Sequence, residues 1–441
     1  MSESVQKGSY NISKLMLHSN DGSPAYDLLP QMSFFSFQED MEVPNMKGVV
    51  AFIDNTNAFG RLDFDGLETV NAVFKSLGQD DSEIDITFRV FRTDIKTSDD
   101  RTKQTIVLSL VTPEHYPGSI KEVKNGFVGM TISDMVKTVY DEHIAANVDN
   151  PKPFNVHETT NSLNIVVPQM SPNEAMYFLR KKAFRQGEFQ TSIYHFYEDR
   201  DQFNFTNLEQ TIVEQRKNAI EFNYVPTSQV GGQHCEQDGS DIISLKLSSA
   251  KDYLYDLKSG LHVTETKEID ILSRNYIKKT FKSTDIFEGT KSMDEEARYP
   301  DTKEFLDKFV ADDVPVSYTI FNDANFTGIT DFAINYYGPK LYQHHAFNQV
   351  VATMQIHGNS NIKPGMMVNL NIPKATSVEE EDEQPYLSGK YLVASVAHTI
   401  ESELYLQTLL LKKDSYKNNN TDSEKEAVSK EDQSETEEVT S

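Results

Sequence analysis

The amino-acid sequence predicts a mainly β fold with α+β insertions, in which two similar antiparallel β-barrel domains accompany a discontinuous α+β domain. Three observations carry that expectation. Strand-length, β-branched runs broken by Gly, Pro, Asp and Asn fill the chain up to Val111. Helical periodicity begins only after Pro113. One order of turn glycine, strand and strand hairpin occurs near both ends.

The runs Thr87–Arg92 and Ile106–Val111 read as strands, and Pro44-Asn45, Asp54-Asn55, Asp65-Gly66 and the polar run from Thr97 to Thr102 punctuate the first region. Short strands joined by such turns imply an antiparallel barrel or sandwich. Between Thr131 and Ile144 the residues Ile132, Met135, Val136, Val139, Tyr140 and Ile144 recur at helical spacing behind Thr131 and Ser133 as cap candidates. Ser171-Pro172-Asn173-Glu174 is a capping box with Pro at the first helical position, leading into the apolar face of Ala175, Met176, Phe178, Leu179, Ala183 and Phe184. Strands resume at Ile193–Tyr197 and Phe203–Phe205, and more short strands are expected from Ile242 to Phe287, around the Tyr-rich segment of Tyr253 and Tyr255. A short helix is expected over Thr302–Val310 and another over Gly338–Asn348. The strands Val350–Ile356, Met367–Ile372, Tyr391–Val396 and Leu406–Leu411 follow, with a double turn from Gly358 to Gly365 and an acidic loop from Val378 to Glu383. Beyond Asp414 the chain is polar and acidic, the composition of a disordered tail.

Two stretches share an order of elements. Gly66-Leu-Glu-Thr-Val70 precedes the strand Phe88–Ile95, a polar turn and Ile106–Val111; Gly365-Met-Met-Val368 precedes Tyr391–Ile400, a polar turn and Leu406–Leu411. Two copies of one small β-module separated by α+β material account for this order. The expected domains are 1–112 and a second barrel of 208–264 with 323–413, an α+β domain of 113–207 with 265–322, and a tail of 414–441.

The 441 residues carry 42 Lys plus Arg against 68 Asp plus Glu, a formal charge of −26. Such a surface repels nucleic acid and anionic membranes. With 38% hydrophobic residues the chain can bury cores, so wholesale disorder is not expected. A single cysteine, Cys235, excludes an intrachain disulfide and a zinc site of paired thiolates. The first residues, Met1 to Tyr10, show no apolar signal region, and the longest aliphatic run, Val49–Ile53, is strand-length, so no membrane anchor is expected. The composition describes a soluble protein made in a reducing compartment.

Motifs for chemistry do not emerge. The glycines never fall into phosphate-cradling spacing. Asp63-Phe-Asp65-Gly66 has the opening of a calcium loop without its third ligand or closing glutamate, and reads as a surface turn. His344-His345 and His357 have no carboxylate at helical spacing to complete a metal site, and His398 sits in a strand as a packed or interface histidine. Cys235, behind Gly231-Gly232, has no cationic neighbour to activate it. No catalytic, cofactor-binding or metal residue is therefore assigned, and no enzyme activity is expected.

Several phrases together resemble one family. Phe37 to Met41, Gly48 to Asp54, Asn57 and Gly66 to Val70 look like the first domain of the baseplate central hub proteins of T-even-type contractile-tailed bacteriophages. Thr131 to Lys137 resembles the helix opening their second domain, and Val167 to Ala175 a further stretch of it. Met354 to Leu370, followed by Ser388 to Val393 and Val396 to Ile400, is similar to a turn-rich signature of tail hubs and of secretion-system spikes. The resemblance implies a structural virion protein: a homotrimer whose six β-barrels form a ring between the hexameric tail tube and the trimeric cell-puncturing spike. Its partners would be spike, tail tube and baseplate wedge proteins, with DNA only in transit through the lumen. It would be made in the host bacterial cytoplasm and reside in the tail baseplate. An acidic lumen wall would let DNA slide without sticking. The strand residues expected at subunit seams are Thr87, Val90 and Phe91 of the first barrel and Val351, Met354, Ile356, Tyr391 and Val393 of the second. The alternative from another class is a tail-tip cell-wall hydrolase, which would need an additional compact domain with a carboxylate pair or a Cys/His set.

Overall fold

The computed structural model describes residues 9–20, 25–54, 66–77, 82–97, 104–160, 162–185, 193–224, 242–249, 263–270, 275–283, 291–294, 296–297, 317–322, 332–348, 350–373, 384, 387–401 and 404–416. The first module contains β1 (Tyr10–His18), β2 (Tyr26–Asp27), β3 (Met32–Asp40), β4 (Lys47–Asp54), β5 (Thr69–Ser76), β6 (Ile84–Thr97) and β7 (Gln104–Val111). The helices α1 (His115–Ile120), α2 (Ile132–Val139), α3 (Pro172–Lys182) and α4 (Leu208–Gln215) alternate with β8 (Gly126–Thr131), β9 (Phe154–Val156), β10 (Ser162–Val166), β11 (Tyr194–Glu198) and β12 (Phe203–Asn207). Then come β13 (Ile220–Asn223), β14 (Ile242–Ser249), β15 (Val263–Asp270), β16 (Asn275–Lys282), β17 (Glu296–Ala297), β18 (Ser317–Asn322) and α5 (Phe332–Phe347). The chain closes with β19 (Val350–His357), β20 (Met367–Asn371), β21 (Gly389–Glu401), β22 (Tyr405–Lys413) and β23 (Ser415–Tyr416).

One sheet of 13 strands runs through both ends of the chain, with β21 joined to β3 at the seam. On the near side of the seam the order is β3-β4-β7-β6-β5, and on the far side it is β14-β19-β22-β21-β20, all antiparallel neighbours. Each half repeats the other down to its irregularities. The β3–β4 ladder shifts between Met32 and Phe34, and β14–β19 between Ile242 and Ser244. The β6–β7 ladder shifts between Val90 and Arg92, and β21–β22 between Val393 and Ser395. A bulge turns the strand and increases its twist, so matching bulges give matching curvature. Even the bond that begins each curl is shared: the Val90 N–H donates to Glu68 O, and the Val393 N–H donates to Met366 O, both at 2.9 Å. The twofold occurrence read from the sequence is a twofold occurrence of topology.

The copies differ at their outer edge and in their insertions. β1 runs antiparallel to β5, whereas β13 runs parallel to β20. A six-residue loop, 41–46, joins β3 to β4, but between β14 and β19 the chain builds the separate sheet β16-β15-β18 and α5.

Period-two burial fills each module with its own core. In the first, Phe35, Phe37, Phe74 and Phe88 form a cluster of edge-on and tilted rings, for instance Phe35 against Phe74 at 6.3 Å and 86°. Such pairs add about 1 kcal/mol each beyond their buried area. In the second, Val350, Ala352, Met354 and Ile356 alternate inward with Tyr391, Val393, Leu409 and Leu411. The α+β part packs the Met135 and Val136 face of α2 onto Ala175, Met176 and Leu179 of α3, over Phe196, Phe203 and Phe205 of the sheet β11-β12-β9.

The expected caps form. Thr131 accepts from the Asp134 N–H at 3.2 Å, while Ser171 and Glu174 bond each other's backbone N–H, at 2.9 Å on the Ser171 side. Two boundaries move. The helix expected from Gly338 starts at Phe332 and carries Pro339 inside it, because Gly-Pro reads locally as a start signal. The α2 helix ends at Val139, and Tyr140–Ile144 widens into a π turn. A tail is expected from Asp414, but Asp414 and Ser415 are buried, and β23 pairs with β17. Their polar side chains find backbone donors there, which composition does not reveal. The Met293 N–H donates to Asp414 Oδ1 at 3.1 Å and the Asp294 N–H to Ser415 Oγ at 2.8 Å. The expected helix Thr302–Val310, Tyr253, Tyr255, Cys235, the turn residues Asp63 to Asp65, the loop Val378–Glu383 and residues 417–441 lie outside the described residues.

Candidate assembly interface

The seam between the modules shows how one copy of this β-module joins the next. Ser395 to Glu401 of β21 pair antiparallel with Asp40 to Phe34 of β3, so His398 stands opposite Phe37 and Ile400 opposite Phe35. The His398 ring stacks on Phe37 at 4.1 Å and 7°. Beneath it runs a buried polar chain. Gln407 Nε2 donates to Tyr405 Oη at 3.0 Å, Tyr405 Oη lies 2.7 Å from His398 Nδ1, and His398 Nε2 lies 3.2 Å from Glu39 Oε1. Arg200, from the turn between β11 and β12, reaches Glu39 at 3.8 Å and donates to Ile362 O at 2.6 Å.

Burial works to raise the Glu39 carboxyl, but the Arg200 guanidinium and the His398 ring outweigh it and hold it below its usual range. Burial likewise pushes His398 down, against the pull of Glu39, so the ring is neutral. A proton on Nε2 facing Glu39 leaves Nδ1 to accept from the Tyr405 hydroxyl. The order of groups is that of a proton relay, yet burial pushes the Tyr405 hydroxyl up, opposite to what a nucleophile requires. The cluster locks two sheets into one rather than presenting a reactive atom.

A second polar junction ties the first module to the α+β part. Glu198 of β11 accepts from the Met46 N–H at 3.1 Å and Thr112 Oγ1 at 2.6 Å, and pairs with Lys152 Nζ at 2.8 Å. Nearby Glu42 gathers His195 at 3.7 Å, Lys412 at 3.8 Å and Arg180 at 3.9 Å. Burial pushes His195 down to about 4. With these contacts in place, the β21–β3 seam is braced from a third side.

The strand residues expected at subunit seams divide by burial. Val90, Met354, Ile356, Tyr391 and Val393 point into the cores of their own modules. Thr87 is on the outer face, where it meets Asn71 of β5 at 3.2 Å. Val351 is half-buried on β19, a strand flanked on both sides by β14 and β22. Phe91, the extra residue of the β6 bulge, is 51% exposed and opens a stretch of β6 whose outer edge is unpaired among the described residues. His344 and His345 lie on α5 with ring centroids 6.2 Å apart. Among the described residues no three His, Cys, Asp or Glu side chains gather as a metal site, and no helix is long and apolar enough to cross a membrane.

Two strand edges are unpaired among the described residues. Beyond Val90, β6 pairs only with β7 among the described residues, leaving its other edge open from Arg92 to Thr97. At the far end of the large sheet, β14 pairs only with β19 among the described residues. An unpaired strand edge is a template for another strand unless something covers it. Sequence reading missed Ile95 on the first edge and Leu247 on the second. The repeat itself is the signal that finds them, because it sets Ile95 in the place of His398 and Leu247 in the place of Phe37.

No protein-family model matches the chain, and no curated protein matches it in sequence. Its fold is found in solved structures. The tail protein from Neisseria meningitidis MC58 superposes with a TM-score of 0.53 at 11% identity, covering 92% of this chain and 97% of that one. The 43 kDa tail protein of prophage MuSo2 from Shewanella oneidensis superposes with a TM-score of 0.52 at 10% identity, covering 91% and 98%. The likeness is one of fold and extends over nearly the whole of all three chains.

Proposed function

We propose that this chain is a structural protein of a phage tail, the central hub of the baseplate, which assembles as a trimeric ring between a hexameric tube and a trimeric spike. The observation that carries the reading is the duplicated module. A trimer can meet a sixfold partner only if each subunit supplies the contacting unit twice, and here the order β3-β4-β7-β6-β5 recurs as β14-β19-β22-β21-β20. The fold shared with two tail proteins, together with the phrases around Gly66 and Gly365, supports the same reading.

In this reading function resides in interfaces, with no catalytic centre. The barrels are residues 1–112 and 208–264 with 323–413, and the α+β part is 113–207 with 265–322. Spike, tube and wedge proteins bind the two ring faces and the periphery, and DNA passes through the lumen on its way to the host. The formal charge of −26 suits a wall that does not hold phosphate. Native mass spectrometry of the purified chain tests the reading: three copies, with a central channel in electron micrographs, are expected. A stable single copy at micromolar concentration sinks it.

A further inference from the structure

We propose that the open edge of β6 takes the β14 strand of a second copy of this chain, in the register that β3 keeps on β21. The inference rests on the ring reading above and adds to it which strands meet and residue against residue.

The repeat fixes the correspondence. Val90 and Leu110 pair as Val393 and Leu411 do, and Arg92 and Ser109 as Ser395 and Leu410 do, so Ile95 occupies the position of His398. Phe37 pairs with Gly48 as Leu247 pairs with Ala352, so Leu247 occupies the position of Phe37. Along the chain's own seam, β21 is covered by β20 up to Leu392 and by β3 from Ser395 on, both on the side away from β22. On β6 only the first cover is present, β5 up to Arg89. What β3 does for β21, nothing within the described chain does for β6. The strand equivalent to β3 is β14, and it lies at the opposite end of the sheet with its outer edge unpaired among the described residues.

Burial marks the same gap. His398 is 0% exposed and Phe37 2%, whereas Ile95, turned to the same inner face, is 47% exposed and Leu247 is half-buried. An apolar residue on the inner face of a curled sheet is exposed only where the next strand is missing. Carrying the seam's register across sets Ile95 against Leu247 of the second copy, Asp94 against its Ser248, and Lys96 against its Lys246. The two edges are different surfaces, so each copy gives one and receives one, and the pairing propagates head to tail until a ring closes and neither of these two edges is left open. Lys96 and Lys246 are both exposed, and the pair they form is the single like-charge contact in this register.

The test uses the full chain with Cys235→Ser. A chain carrying Ile95→Cys is mixed with one carrying Leu247→Cys under mild oxidation, and a disulfide-linked dimer is expected. Cross-strand neighbours on one face bring Cβ atoms within disulfide reach. Asp94→Cys mixed with Leu247→Cys is one residue out of register, faces the other way, and is expected to stay unlinked. A native trimer with no 95–247 bond, or with an equal 94–247 bond, overturns the edge pairing and leaves the hub reading standing. A 95–247 bond in a particle of another copy number keeps the edge pairing and removes the hub. Lys96→Glu provides a readout that does not depend on cysteines: it turns repulsion into attraction, so the concentration for half-assembly is expected to fall at least threefold. Lys96→Glu with Lys246→Glu is expected to restore the original value, and no change in the single variant counts against the register.

Discussion

His398 Nε2 lies 3.2 Å from Glu39 Oε1, and both side chains are fully excluded from solvent at the strand seam that makes one sheet of two modules. Glu39 also faces Arg200 at 3.8 Å. Removing one partner of a buried ionic group leaves the others uncompensated, at a cost of about 3 kcal/mol. Glu39→Gln is therefore expected to lower unfolding stability by about 3 kcal/mol in urea melts. A loss below about 1 kcal/mol shows that the seam does not depend on this carboxylate.

Acid is expected to loosen the molecule from about pH 6.5 downward. Burial is the largest influence on His115, His157, His195, His344 and His398, and it holds all five below the ordinary 6.5. Depressed histidines stay neutral in the fold while the unfolded chain takes up protons, so their contribution is full above about pH 6.5 and declines as pH falls below it. Glu39, depressed from 4.5, contributes stability that is lost only at lower pH still. Unfolding free energies from urea melts are expected to fall between pH 7.5 and 5.5 by more than the ~1.4 kcal/mol that one such histidine contributes. A flat profile across that window contradicts the buried-histidine account.

The helix caps, most strands and the duplicated order of elements were legible in the sequence because each rests on local chemistry. Ser171 and Glu174 sit three residues apart, and Gly66 and Gly365 each precede a strand. The seam was not legible. Glu39 looks like one more surface acid among 68 acidic residues until β21 lies beside β3, and their partners are more than 350 residues apart in the chain. Neither alternation nor propensity encodes which strand will be the neighbour of which. Residues expected at subunit seams, such as Met354 and Tyr391, carry the strongest apolar pattern, and a module spends its strongest apolar residues on its own core.

The last described strand, β23, ends at Tyr416. Asp414 and Ser415 accept from the backbone of Met293 and Asp294, and Lys413, fully buried, pairs with Asp294 at 2.8 Å. Deleting residues 417–441 keeps both acceptors, whereas deletion from Asp414 removes acceptors from two buried N–H groups. That costs about 2 kcal/mol, read as a lower urea midpoint with unchanged slope. Equal stability of the two truncations contradicts the role given to Asp414 and Ser415.

The repeat supplies its own control for a glycine substitution. Gly66 and Gly365, one position apart in the register of the repeat, both precede the curl of their module with φ of +83° and +86°, a conformation in which a Cβ is strained. Around Gly66 an added Cβ meets no atom within 4 Å, but at Gly365 it comes within 2.7 Å of Tyr197 Oη. Tyr197 is buried between the second module and the α+β part, with Leu208, Met367 and Leu392 around it, so its ring cannot retreat cheaply. Gly66→Ala is expected to cost the backbone strain alone, about 1 kcal/mol. Gly365→Ala adds overpacking to the same strain and is expected to cost about 3 kcal/mol. Pairing Gly365→Ala with Tyr197→Phe separates the two contributions, since loss of the hydroxyl removes the clash and leaves the strain. The double variant is expected to recover most of the difference between the two single glycine substitutions in urea melts. No recovery means that conformation, and not the approach of Tyr197, reserves position 365 for glycine.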